Sequence, residues 1–234
     1  MNGLEAVVMA AGEGTRLRPL TERWPKPVLP IDGRPVLTTL LRELRTVGFE
    51  EVTVVTGHLA EQVERLVGDG TPFGLRARIV TQPEPLGSAD AVRRALAAGV
   101  RPPLLVTAAD TVFMGGDLGS AIDRWVESET PGGLGVRRGG RSDQTPVRVD
   151  DGRVTEVGGE RGEHTAAPLW LLGEELAAAL EDVPGPPFEI ARAVQDALAA
   201  GKEILALELG PTRDLTRPAD VVTRNFPYLW SEDR

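Results

Sequence analysis

The residues of this chain best equipped for chemistry stand in three short strings. The first is Ala10-Ala11-Gly12-Glu13-Gly14-Thr15-Arg16-Leu17-Arg18-Pro19-Leu20-Thr21, followed by Pro25-Lys26-Pro27, directly after an apolar run. Small residues and glycines let a backbone approach a ligand closely, and successive amide groups can cradle phosphate oxygens. Arg16 and Lys26 bring positive charge to the same place. Glycines after a strand can equally be turn chemistry, and Arg18 can equally be a solvated charge.

The second string is Gln82-Pro83-Glu84-Pro85-Leu86-Gly87-Ser88-Ala89-Asp90-Ala91. A glutamine amide offers both a donor and an acceptor to a pyrimidine edge, and Gly87 permits close backbone approach. The same residues also read as a turn before a helix capped by Ser88. The third is Thr107-Ala108-Ala109-Asp110-Thr111. Asp110 there is either a turn or cap residue, or a carboxylate protruding into a ligand crevice at the end of a strand.

Strands must position these strings. Short Val-rich runs at Leu4 to Met9, Glu51 to Thr56, Arg76 to Thr81 and Leu104 to Thr107 predict buried strands. Helical spacing at Val36 to Val47, Leu59 to Val67 and Ala89 to Ala98 predicts the helices between them. Such alternation implies an α/β fold, a Rossmann-like, mainly parallel sheet with helices on both faces and ligands at the carboxyl ends of its strands. After Trp125 the rhythm changes. Gly133 to Val136, Pro146 to Val149, the turn Asp150-Asp151-Gly152 and Arg153 to Val157 read as a small antiparallel β lobe containing a hairpin. A strand at Ala166 to Leu172, helices at Glu174 to Leu180 and Ile190 to Ala200, a strand at Glu203 to Leu209 and a helix starting near Arg217-Pro218 complete the chain.

Composition bounds the function. With 234 residues, 41% of them hydrophobic, the chain can bury one sizeable core, and a single domain over 1–234 is expected. The net charge of −9 argues against nucleic acid and against anionic membranes as partners. The lack of cysteine excludes disulfides, thiolate metal sites and a thiol nucleophile. The two histidines, His58 and His164, have no partner cluster suggesting a triad or a zinc site. No apolar run reaches a membrane-spanning length of about 20 residues, and the first residues lack a basic start, so a cytoplasmic location is expected.

Taken together, Gly14-Thr15-Arg16-Leu17, Pro19-Leu20-Thr21 and Pro25-Lys26-Pro27, with Leu29-Pro30, Gly33, Pro35 and Leu37 after them, resemble the signature loop of the sugar-phosphate nucleotidyltransferase superfamily. The similarity is to its glucose-1-phosphate thymidylyl- and uridylyltransferase members. It implies that Ala10, Ala11 and Gly12 line base and ribose, that Gly14 and Thr15 hold phosphates, that Arg16 binds the leaving pyrophosphate and that Lys26 contacts the reacting phosphates. Gln82 and Gly87 look like the family's base-reading pair, which favours UTP or dTTP. Asp110 matches the family's magnesium aspartate, with Ala109 where relatives carry glycine. Asp214, before Thr216-Arg217-Pro218-Ala219-Asp220, matches the second carboxylate on Mg2+, while Asp220 is expected to serve the helix start.

On the acceptor side Arg161, in Glu160-Arg161-Gly162, stands near the family's sugar-phosphate lysine, and Glu189 stands where relatives keep an acid near the sugar hydroxyls. The nucleotide-binding half would span about 1–128 and the sugar-phosphate half about 129–234, with an NTP and a sugar 1-phosphate as partners. Two other readings stay open. Val54 to Glu61 also resembles cytidylyltransferases acting on phosphocholine or an inositol phosphate, and a catalytically inactive regulatory subunit could keep the fold. The residues do not decide whether the protein is a homo-oligomer.

Overall fold

Alternation of side chains along the strands dictates the layers. In β1 (Glu5–Ala10), Ala6, Val8 and Ala10 turn to one side of the sheet and Val7 to the other, all of them buried. A sheet that is apolar on both faces must be covered on both faces, and the intervening helices do this. The computed structural model describes residues 3–139, 144–160 and 162–226.

After β1 come β2 (Pro30–Ile31), β3 (Arg34–Pro35), α1 (Val36–Thr46), β4 (Glu51–Thr56), α2 (Ala60–Val67), β5 (Arg76–Thr81), α3 (Ser88–Ala97), β6 (Leu104–Ala108), β7 (Thr111–Val112) and α4 (Asp117–Ser128). The chain continues through β8 (Gly132–Arg138), β9 (Pro146–Asp150), β10 (Arg153–Val157), β11 (His164–Leu172), α5 (Glu174–Ala178), α6 (Ile190–Ala199), β12 (Ile204–Glu208), β13 (Arg213–Asp214) and α7 (Pro218–Asn225). The main sheet has nine strands in the order β5-β4-β1-β6-β11-β8-β12-β10-β9. β5, β4, β1 and β6 are mutually parallel, and β11 enters antiparallel between β6 and β8.

The strands expected to make a small antiparallel lobe therefore extend the same sheet, with β9 and β10 as the hairpin at its far edge. β8 and β12 pair parallel to each other within this region. One apolar cluster lies under α1, α2 and α4 and the other under α3, α5 and α6, and both draw residues from β1 through β12. A third, smaller cluster of Leu17, Leu29, Ile31, Val36, Val112 and Leu215 fastens the glycine loop to the start of α1, to β7 and to the segment after β13. α7 and β13 clamp the β2–β3 hairpin: Asn225 donates to Pro30 O at 2.8 Å and accepts from Gly33 N at 2.7 Å, and Arg213 of β13 pairs with Asp32 at 2.6 Å. Among the described residues no helix is long and apolar enough to cross a membrane.

One buried group carries a cost. Glu43 on α1 has an Oε1 atom that is buried with no hydrogen-bond partner, and burial, reinforced by the Asp117 carboxylate, pushes its carboxyl up to about 7 from an ordinary 4.5. The folded chain thus holds this proton more tightly than the unfolded one does. The resulting stabilisation is complete below pH 4.5 and is lost as pH rises through 7. Glu43→Gln is expected to leave stability at pH 4 nearly unchanged and to raise it at pH 8 by on the order of 1 kcal/mol, discounted for partial exposure. Urea melts at the two pH values measure this, and an equal effect at both would contradict it.

Candidate active site

Parallel register brings the chemical strings to one edge. Ala10 is level with Thr56, Thr56 with Thr81, and Met9 with Ala108, so the residues following β1, β4, β5 and β6 emerge side by side. After β1 the chain crosses to β4 on one side, and after β5 it returns to β6 on the other. A crevice opens at such a reversal because the two connections diverge. Here it is a cavity of about 370 Å3 lined by Ala10, Ala11, Gly12, Gly14, Lys26, Gln82, Gly87, Asp110 and Glu189, with Met9, Pro27, Ser88 and Ala91 among its other walls.

The glycine loop turns sharply at Gly14, whose φ of +62° is the left-handed region that glycine enters without strain. Two short 3-10 turns follow, and Thr21 Oγ1 reaches back to Gly14 O at 3.0 Å. His58 accounts for itself structurally: its Nε2 lies 2.7 Å from Thr21 O and its N–H donates to Ala11 O at 3.1 Å, which pins the loop to the end of β4. Thr15 and Arg16 do not line the larger cavity. They wall an adjoining depression of about 200 Å3 with Leu17, Leu215 and Thr216, and Gly14 and Lys26 belong to both spaces. Arg18 is exposed and pairs with Glu13 at 3.1 Å.

Lys26, held in a 3-10 turn between Pro25 and Pro27, donates from Nζ to Asp110 Oδ2. Their side chains are 15% and 26% exposed, so the pair is sheltered yet reachable from the cavity. Asp214 arrives from the far end of the chain because β13 pairs antiparallel with β7, placing it opposite Thr111, the residue next to Asp110. Thr111 Oγ1 donates to Asp110 Oδ1 at 3.2 Å and Thr216 Oγ1 to Asp214 Oδ2 at 3.4 Å. This is a hard-oxygen donor set. Hard oxygens of this kind are the donors that magnesium takes, alongside phosphates and water; among the described residues no cluster of three or more His, Cys, Asp or Glu occurs.

Gln82 is buried at 5% exposure, and its Nε2 donates to Gly87 O at 3.0 Å and to Asp90 Oδ2 at 2.8 Å. Both amide hydrogens are therefore spent inside the protein, and the expectation that the amide offers a donor as well as an acceptor to a ligand is corrected. Ser88 also differs from expectation. It opens α3 without capping it; its Oγ accepts from Ile190 N at 2.9 Å, the first N–H of α6, and donates to Glu189 Oε2 at 2.5 Å. Glu189 thus faces the cavity already engaged, on the wall formed with Gly87 and Ser88. Asp220 does serve its helix start, accepting from Thr216 N and Arg217 N at 2.7 Å each. Arg161 lies outside the described residues. His164 is buried, 3.9 Å from the Glu208 carboxylate, and belongs to no cluster of possible metal ligands among the described residues.

Sequence reasoning missed Asp90 and Thr216 as parts of this site. Asp90 could have been flagged by its place one helical turn from Arg94 and at the mouth of the Gln82 turn; nothing local marks Thr216. A larger depression of about 840 Å3 lies at the amino-terminal ends of β1, β4 and β5. Of its two basic side chains, Arg76 is taken up by Glu51 at 2.6 Å and Arg78 donates to Ala98 O at 3.1 Å, and ligands of parallel sheets gather at the other edge.

A model of the family described as nucleotidyl transferase matches residues 5–145. A mannose-1-phosphate guanylyltransferase of Mycobacterium tuberculosis is 36% identical over 153 residues, covering 64% of this chain and 39% of that protein. A glucose-1-phosphate thymidylyltransferase of Streptomyces antibioticus is 30% identical over 97% of this chain and 66% of its own length. The chain thus spans less than two thirds of the length of these relatives. Among solved structures, a UDP-glucose pyrophosphorylase from Acinetobacter baumanii superposes with a TM-score of 0.81 at 19% identity, covering 98% of this chain and 94% of the other, a likeness of fold.

Proposed function

The chain belongs to the nucleotidyl transferase family, and on that premise we propose that it transfers a nucleotidyl group from a nucleoside triphosphate, with UTP or dTTP favoured, to a sugar 1-phosphate, yielding an NDP-sugar and pyrophosphate. The observation that carries this reading is the meeting of Lys26, Asp110 and the glycine loop around one cavity, with Asp214 paired in beside them. Gln82 and Gly87, which suit a base, line this cavity, and the Thr15–Arg16 depression, suited to the outer phosphates, adjoins it through Gly14 and Lys26.

A sugar 1-phosphate is largely dianionic at neutral pH, its second pKa being about 6 as for other phosphate monoesters. It needs no general base, which accords with a site that has no histidine or cysteine in it. One of its oxygens attacks the α-phosphorus in line; the new P–O bond forms as the bond to the β-phosphate oxygen breaks and pyrophosphate leaves with the electron pair. Lys26 offsets charge on the reacting phosphates and Arg16 on the departing pyrophosphate, while the amides of the Gly14 turn hold phosphate oxygens. Asp110 and Asp214 would hold magnesium, which when bound supplies a Lewis acid for phosphate oxygens. Relatives using CTP, or a copy without turnover, remain the rival readings. Pyrophosphate release measured over a matrix of triphosphates and sugar phosphates with magnesium tests all three: release with UTP or dTTP and a hexose 1-phosphate supports the proposal. Thermal stabilisation by triphosphate without release in any combination would refute it.

A further inference from the structure

We propose that Asp90 is a positioning residue that fixes the orientation of the Gln82 amide, and so makes the cavity demand a base whose edge carries a ring N–H beside a carbonyl: uracil, thymine or guanine, not cytosine or adenine. This rests on the cavity being the triphosphate site.

The acceptors around Gln82 decide its orientation. Asp90 Oδ2 and Gly87 O can only accept, and they take the two hydrogens of Nε2 at 2.8 and 3.0 Å. Turning the amide over would set Oε1 against both acceptors and abandon two hydrogen bonds in a place where Gln82 is 5% exposed and water cannot easily replace them. Asp90 is itself held: the same Oδ2 accepts from Arg94 Nε at 2.7 Å, one turn along α3, and the Asp90 side chain is 13% exposed. The carboxylate therefore cannot swing away without losing its own partner.

What the cavity receives from Gln82 is then an acceptor, Oε1, which has no protein partner among the described residues. The Gly87 N–H, on the same turn, likewise donates to none of them. An acceptor beside a donor is complementary to the N3–H and O4 of uracil or thymine and to the N1–H and O6 of guanine. Cytosine and adenine present the reverse order, a bare ring nitrogen beside an amino group, which would set acceptor against acceptor and donor against donor. Such a mismatch in a desolvated site discriminates far better than a difference of shape.

Asp90→Asn is nearly isosteric, and its own amide can donate, so Gln82 becomes free to turn. The ratio of kcat/KM for UTP over CTP is expected to fall by at least about tenfold, through KM, with kcat for UTP kept within about threefold. Arg94→Ala, which releases Asp90 from its own partner but keeps the carboxylate as an acceptor, is expected to lower that ratio in the same direction and by less than Asp90→Asn does. Thermal shifts of the same proteins with UTP and with CTP read selectivity independently of turnover. If Asp90→Asn does not fold, Asp90→Ser carries the same expectation. A folded Asp90 variant with the wild-type ratio would overturn the role of Asp90 and leave the transferase reading intact, and a wild type that prefers CTP would overturn the base rule while still leaving nucleotidyl transfer. Should no triphosphate yield pyrophosphate, the transferase reading fails, and the UTP-to-CTP thermal shift ratio still decides the proposal.

Discussion

Lys26→Met is expected to lower turnover by roughly 100-fold to 1000-fold while leaving the fold in place, because a single well-placed charged donor at a developing phosphate charge contributes about 3 kcal/mol to the transition state. Methionine keeps an unbranched stem of similar length, so the 3-10 turn that carries it is expected to survive. What is removed is the charge that meets Asp110 and that walls both the base-side cavity and the Thr15–Arg16 depression. The loss should fall on kcat, since the charge on the reacting phosphates grows toward the transition state. Pyrophosphate release at saturating triphosphate, together with a thermal melt, measures it. Turnover within tenfold of wild type would remove Lys26 from the reaction.

Gly87→Ala should abolish nucleotide binding at millimolar triphosphate and lower the melting temperature as well. Gly87 has a φ of +111° and a ψ of 173°, a conformation open in practice to glycine alone. A Cβ there would lie 2.3 Å from Phe188 O and 2.7 Å from Phe188 N. Those are backbone atoms, and they are bound into the same contact: Ala89 N donates to Phe188 O at 2.8 Å and Phe188 N to Leu86 O at 2.7 Å. An added methyl group must therefore part the turn before α3 from the segment before α6, taking Gly87 O away from the Gln82 amide. The strain and the lost bonds together amount to on the order of 2 kcal/mol, or a fall of about 4–8 °C for a chain of this size. Calorimetry without ligand and titration with UTP separate the two effects. Full-strength binding by Gly87→Ala would show that the turn is not part of the nucleotide site.

The two halves of the chain were not equally legible. β4, β5 and β10 begin and end at the residues read from the sequence, because each is a run of period-two or continuous apolar character bounded by turn residues. α1, α2, α3 and α6 agree to within one residue at each end for the same kind of reason, their spacing being a local property. In the second half β8 to β12 were foreseen, the β9–β10 hairpin with them, but β13 was not, nor were the other pairings. Nothing in His164–Leu172 says that it will enter between β6 and β8, nor in Ile204–Glu208 that it will lie parallel to β8, because pairing is chosen by which apolar faces remain uncovered once the rest has folded.

The site divides along the same line. Residue types and their offsets from strand ends are covalent facts, so the glycine loop, Lys26, Gln82, Gly87 and Asp110 could be placed on one edge of a parallel sheet by counting alone. Only the fold could bring Asp214 opposite Thr111 across the β13–β7 pair, make Ser88 the cap of α6 in place of its own helix, and assign both hydrogens of Gln82 to Asp90 and Gly87. A hydrogen bond depends on the direction and distance of its partner in space, and sequence separation carries neither. The sequence by itself determined which chemical groups were on hand and which edge they would occupy; the tertiary structure decided which of them were already committed to each other and which were left for a ligand.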